Sequence, residues 1–248
     1  MKFSTFAPVL AVAGLCVSAQ AANVSLTGEF KTAYVATGAT CNDGFVFNPD
    51  IYIDGLKIGD TDLPLSFDVW GNVDLDDDYD PESYKAGRFS EIDLEVALDL
   101  GAFWTPSENF SWSVGYLEYD YPQPAWNPDH LIDFNMGYSD GFVNPAFQVK
   151  YRFAGDSKEK CEFRLKLSHS WDLGNDFGFG LTADCWYIIQ APESELDDGF
   201  ACADFTAKLS FQHLFASCTY VCQLDDDVLT DEAYDVDWIG AVGIGYDF

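Results

Sequence analysis
The sequence predicts an all-β fold, an antiparallel up-and-down transmembrane β-barrel of about 12 strands. Three observations predict it. Apolar and polar residues alternate with period two along most of the 248 residues. Aromatic residues make up 17% of the chain, a usage that favours strands. Short turns alternate with long acidic loops, so that the two ends of the strand bundle differ.

The elements follow in chain order. Residues 1–21 read as a signal peptide: Lys2 gives a positive start, Phe6 to Val17 an apolar stretch, and Ala19-Gln20-Ala21 a small-x-small cleavage site. The apolar stretch is too short to span a bilayer, and bulky Leu15 stands where a lipoprotein signal at Cys16 needs a small residue. The remaining 22–248 form the barrel. Strands are expected at about 23–36, 45–58, 63–75, 90–104, 109–121, 130–139, 145–154, 160–173, 176–190, 200–213, 216–225 and 236–248. In the fourth, Asp93, Glu95 and Asp99 interleave with Ile92, Leu94, Val96, Leu98 and Leu100; in the eighth, Glu162, Arg164 and Lys166 interleave with Phe163, Leu165 and Leu167. Short turns are expected at Gly59–Asp62, Thr105–Glu108, Asp140–Asn144, Gly174-Asn175 and Leu214-Phe215. Three longer loops, Asp74–Glu82, Glu193–Asp198 and Asp225–Asp237, carry six, four and seven acids.

A soluble β-sandwich also alternates, but these segments exceed its usual five or six residues. Aromatics near segment ends on the apolar face (Tyr34, Trp104, Phe110, Tyr138, Tyr151, Trp171, Tyr187 and Trp238) suit girdles at two bilayer surfaces. At the C-terminus Val242, Ile244, Tyr246 and Phe248 share one face. This resembles the closing strand of bacterial outer-membrane β-barrel proteins, and the resemblance implies an outer-membrane location and reading of that strand by the barrel-assembly machinery. Tyr34-Val35-Ala36-Thr37-Gly38, Pro49, Val69-Trp70-Gly71-Asn72-Val73-Asp74-Leu75, Glu91-Ile92-Asp93 and Gly115-Tyr116-Leu117-Glu118-Tyr119 are similar to landmarks of the TorF-like kind of porin. The similarity covers mainly the first half, and Thr37 stands where that kind carries Arg before the Gly.

Composition excludes some functions. With 42 acidic against 12 basic residues the net charge is −30, so nucleic acid is not an expected partner. A hydrophobic share of 48% argues against disorder. Beyond the leader six cysteines remain, at 41, 161, 185, 202, 218 and 222; none shows CxxC spacing, and His130, His169 and His213 are scattered, so no metal or other cofactor is expected. Cys218 and Cys222, four apart on one strand, cannot bridge. Asp74-Leu75-Asp76-Asp77-Asp78 lacks the Gly and Glu of a calcium loop, which leaves diffuse cation attraction. No catalytic residue is assigned: in Ser168-His169-Ser170 strand parity turns the His away from both serines.

The inward face is the candidate site. Parity directs six basic residues into the lumen, Lys31, Lys150, Arg152, Arg164, Lys166 and Lys208, and the acids Glu29, Asp68, Asp93, Glu95 and Asp99. The acids concentrate on strands one, three and four, the bases on seven and eight. The expected function is a porin-like outer-membrane channel for small polar solutes, modestly favouring cations, with outer-membrane lipid around it. The alternatives are a non-conducting structural or adhesive barrel and an outer-membrane hydrolase.

Overall fold
A computed structural model describes residues 22–58, 61–76, 86–122, 127–155 and 158–248. The signal-peptide reading of residues 1–21 and most of the Asp74–Glu82 loop lie outside the described residues. Twelve strands run β1 (Asn23–Lys31), β2 (Val46–Asp54), β3 (Leu65–Asp74), β4 (Arg88–Asp99), β5 (Phe110–Asp120), β6 (Asp129–Tyr138), β7 (Asn144–Ala154), β8 (Cys161–Gly174), β9 (Phe177–Ile189), β10 (Gly199–Phe211), β11 (Leu214–Gln223) and β12 (Trp238–Asp247). Each pairs antiparallel with its chain neighbours, and β1 pairs with β12 to close the barrel. Closure leaves no unpaired strand edge, the condition for crossing a bilayer with strands. No helix among the described residues is long and apolar enough to cross a membrane.

Alternation sets the two faces. On β8, Leu165 is 47% exposed, whereas the side chain of neighbouring Glu162 keeps 3% of its surface. Leu165 stands opposite Phe147 and Cys185 on the outer surface; Arg164 stands opposite Gln148 and Trp186 on the inner one. The same parity exposes Phe30, Ile51, Val96, Ile132, Phe205, Leu209, Val242 and Ile244 around the barrel. An apolar belt of this extent is a surface that lipid covers. Tyr138, Tyr151, Trp238, Tyr246 and Phe248 stand exposed toward its two margins.

The start of β1 and the C-terminal Phe248 lie at the short-turn end, where the backbones of Val24 and Phe248 exchange hydrogen bonds at 3.2 and 2.9 Å. The turn expected at Leu214-Phe215 instead falls at Gln212-His213: Gln212 takes a left-handed φ of 53°, and Leu214 and Phe215 enter β11. The fourth strand ends at Asp99, whose carboxylate accepts from Gly101 N at 2.8 Å and starts a single 3-10 turn. All six cysteines among the described residues are free; Cys202 is buried.

The largest departure is in the first expected strand. Its barrel portion stops at Lys31, and Tyr34–Ala36 pairs with Ala39–Asn42 as a separate hairpin. Thr37 (φ 50°) and Gly38 (φ 86°) make its turn. Tyr34, expected in the outer girdle, instead points inward: its hydroxyl donates to Glu91 Oε2 at 2.7 Å, and its ring lies 5.4 Å from that of Trp70. A phenol that donates to a lumenal carboxylate while its ring packs on Trp70 makes polar and apolar contacts together that the lipid face does not offer.

Candidate functional site
The hairpin 34–42 crosses the lumen. At one end Tyr34 meets Glu91 on β4; at the other, Gly38 packs against Cys202 on β10, six strands away in a ring of twelve and so on the opposite wall. A Cβ on Gly38 would come within 2.7 Å of Cys202 Cβ and 2.8 Å of Leu229 Cδ2, and its positive φ independently favours glycine. Burial, reinforced by the nearby Glu91 charge, raises the Tyr34 phenol well above its ordinary value, so the hydroxyl remains a donor. Burial likewise pushes the Cys41 thiol up to about 12.

Two clusters hold this bar. On the β2–β4 side, Asn42 Nδ2 and Asn72 Nδ2 donate to Asp74 Oδ1 at 2.8 and 2.9 Å. Asn48 Nδ2 donates to Asn72 Oδ1 at 2.8 Å, and Asn72 Nδ2 also reaches Ser90 Oγ at 2.7 Å. On the β9–β10 side the cluster is apolar: Trp186, Ile188, Ala201 and Cys202 pack with Val228 and Leu229, and Ala39 joins from the hairpin. Val228 and Leu229 belong to the acidic loop 225–237, which folds inward at these two residues. Thr40 N donates to Ala233 O at 2.7 Å, which joins hairpin and loop directly.

Beside and below the hairpin lie the charges that parity directs inward. Asp68 stands opposite Glu95, Asp93 opposite Trp70 and Tyr119, and Asp99 opposite Ser113. Asp68 Oδ1 and Asp93 Oδ1 are buried without hydrogen-bond partners. Glu95 has room because Gly115 faces it; a Cβ there would lie 2.8 Å from Glu95 Oε1. Across the lumen, Lys150 Nζ donates to Tyr119 Oη at 2.7 Å, and Arg152 pairs with Asp129 and with Glu162, the latter at 3.3 Å. Arg164 Nε binds Asp184 at 2.6 Å, its guanidinium 4.9 Å from the Trp186 ring centre. Lys166 stands opposite Ala146 and Asp184. Lys208 Nζ sits 3.9 Å over the Phe215 ring, and Glu29 and Lys31 pair with each other at 2.9 Å on β1.

Sequence reasoning missed inward acids beside the basic wall: Asp129, Glu162 and Asp184, which pair with Arg152, Lys160 and Arg164, and Asp133, which accepts from Asn135 and Gln148 at 2.9 and 3.0 Å. Glu162 was legible, since it shares the parity of Arg164 and Lys166. Ser168 Oγ donates to Asn144 O at 3.4 Å while His169 packs on Phe142 and Trp171, which leaves no nucleophile–base pair there. On the outer face near the long loops, Tyr116 Oη shares hydrogen bonds with Glu118 (2.9 Å) and His130 Nδ1 (2.7 Å).

At the short-turn end the lumen opens into a vestibule of about 730 Å³. Asp54, Asp62 and Asp99 line one side together with Ser66, and Arg164 and Lys166 the facing side, with Ser113 between. The lumen is thus filled at the long-loop end and open at the other.

No protein-family model and no curated protein matches this sequence. Among solved structures, one from work on in-meso crystallization of membrane proteins is similar at a TM-score of 0.52 and 9% identity, over 91% of this chain and 84% of that one. The NanC porin gives 0.49 and 9%, over 90% and 97%. Salmonella typhi OmpF gives 0.40 and 7%, over 92% and 97%. At such identities the likeness concerns the fold: a closed antiparallel barrel of the kind that membrane proteins use.

Proposed function
We propose that this protein is a porin-like channel of the bacterial outer membrane for small hydrophilic solutes, with the hairpin 34–42 as its constriction. The observation that carries the reading is the separation of lumenal charge. Asp68, Asp93 and Glu95 occupy β3 and β4, and Lys150 and Lys166, neither in an ion pair among the described residues, occupy β7 and β8, about a third of the circumference away. A barrel built only for rigidity gains nothing from carboxylate oxygens buried without a hydrogen-bond partner, such as Asp68 Oδ1 and Asp93 Oδ1. Opposed rows of charge instead produce a transverse field that orients polar solutes.

The short-turn end, with the start of β1 and the C-terminal Phe248, would face the periplasm, and the long acidic loops the exterior. Lipid would cover the apolar belt, and the strand ending in Val242, Ile244, Tyr246 and Phe248 would be read by the barrel-assembly machinery. The exterior acids would concentrate cations, an effect that fades over a Debye length of about 8 Å at physiological salt.

Planar-bilayer recording of the refolded protein tests the reading: it should conduct, with modest cation selectivity that decreases as salt rises. Absence of both conductance and solute uptake into liposomes would replace it with the non-conducting surface barrel, which the full-width span of the hairpin favours.

A further inference from the structure
The vestibule presents uncompensated charge of both signs on facing walls. Lys166 has no ion-pair partner among the described residues, because the carboxylate across from it, Asp184, is taken by Arg164 at 2.6 Å. Arg164, which also lines the cavity, uses Nε for that pair and not its terminal nitrogens. On the facing side, Asp54 and Asp99 each engage Oδ1 in a local bond, from Asn23 Nδ2 at 2.7 Å and Gly101 N at 2.8 Å, and retain Oδ2. Asp62, the third acid of this wall, is occupied by Lys57 at 3.0 Å. Asp99 on β4 and Asp54 on β2 lie four and six strands from β8, so the two signs face each other across open space. No ion pair joins these walls among the described residues.

We propose that the vestibule binds a zwitterionic small solute, its carboxylate at Lys166 and Arg164 and its ammonium at Asp54 and Asp99. An anion that gains from Lys166 is repelled by the acids opposite, and a cation meets the converse. A neutral solute gains only hydrogen bonds, from lining groups such as Ser66, Ser113, Asn135 and Gln148. A dipolar molecule satisfies both walls at once, and its specificity arises as much from the repulsion of singly charged competitors as from attraction. The cavity, about 730 Å³, is of the size that holds a small ligand. The inference deepens the channel reading by naming a solute class; binding itself does not require that the solute pass through.

The probe is 6-aminohexanoate, compared with hexanoate, hexylammonium and 1,6-hexanediol at neutral pH. Binding to the refolded barrel is read by calorimetry, and entry into liposomes by swelling. The zwitterion should bind at least about fivefold more tightly than any of the other three, roughly 1 kcal/mol at RT of 0.59 kcal/mol. Lys166→Gln and Asp99→Asn should each reduce that preference to twofold or less while leaving the folded band on gels unchanged. Equal binding of all four probes, or a preference untouched by both variants, overturns the proposal. If the zwitterion binds but none of the four probes enters liposomes, the site stands and the channel reading fails. If all four enter at one rate with no difference in binding, the channel reading stands and the site is overturned.

Discussion
The two halves of the lumen are built on opposite plans. Toward the long loops, the hairpin 34–42, the Asn42–Asn48–Asn72–Asp74–Ser90 network and the Trp186–Leu229 cluster leave Asn48, Asn72, Asp74 and Cys202 at 2% exposure or less. Toward the short-turn end, the same β-strands enclose an open vestibule whose charged residues meet solvent. The first half behaves as a protein core, in which each polar atom needs a partner. The second behaves as a surface folded inward, where charges stay hydrated and cost little. Stability is therefore concentrated at one end of the barrel, and solute chemistry at the other.

Substitutions can break this contrast. The largest effect is expected at Glu162, which takes Lys160 at 2.9 Å and Arg152 at 3.3 Å with little exposed surface. Glu162→Ala leaves the nearly buried Arg152 with Asp129 as its one carboxylate partner among the described residues and should cost about 3–5 kcal/mol, as loss of one member of a buried ion cluster does, measured by urea unfolding of the refolded barrel. Asn72→Ala removes both donors that bind Asp74 and Ser90 and should cost about 1–3 kcal/mol in the same assay. Gly38→Ala should cost about 1–2 kcal/mol from its positive φ, with the contact to Cys202 adding to this. Lys166→Gln, in the vestibule, should change stability by less than about 0.5 kcal/mol. Comparable costs at Glu162 and Lys166 would contradict the division into core-like and surface-like halves.

A pH experiment sharpens the same comparison. The Tyr34 phenol is raised in the folded state, so its contact with Glu91 contributes fully below the ordinary tyrosine value of about 10 and is lost only as pH climbs through the raised one. Cys41, with its thiol pushed up to about 12, should then resist alkylation from pH 7 to 10 in the folded barrel and react rapidly after denaturation. Tyr34→Phe should speed that labelling several-fold at neutral pH by freeing the hairpin. Fast labelling of Cys41 in the unmodified barrel would place the hairpin outside the lumen.

The barrel was legible because lipid and water impose a strict period of two on residues such as Leu165 and Arg164. The expected facing of the charges rests on the same parity. The hairpin was not legible, because alternation runs on through Thr32 to Ala36 and nothing local distinguishes a strand that stays in the wall from one that folds inward. Thr37-Gly38 was the available signal, a turn directly after the expected end of that strand. Val228 and Leu229 were hidden for another reason: two apolar residues among the acids of residues 225–237 read as solvated loop, and only the apolar surface of Trp186 and Ile188 gives them a place to pack. The quoted landmarks Tyr34, Gly38, Asn72, Asp74 and Glu91 lie far apart in the chain, yet all of them hold or meet this hairpin.

The hairpin's role as a constriction is tested most directly by single-channel conductance of the refolded barrel and of Gly38→Ala, recorded in the same bilayers. The account predicts a small but measurable conductance for the unmodified protein and at least a twofold larger one for the variant, because the added Cβ displaces the tip from Cys202 and Leu229. Silence from both, with the barrels folded and inserted, would contradict it.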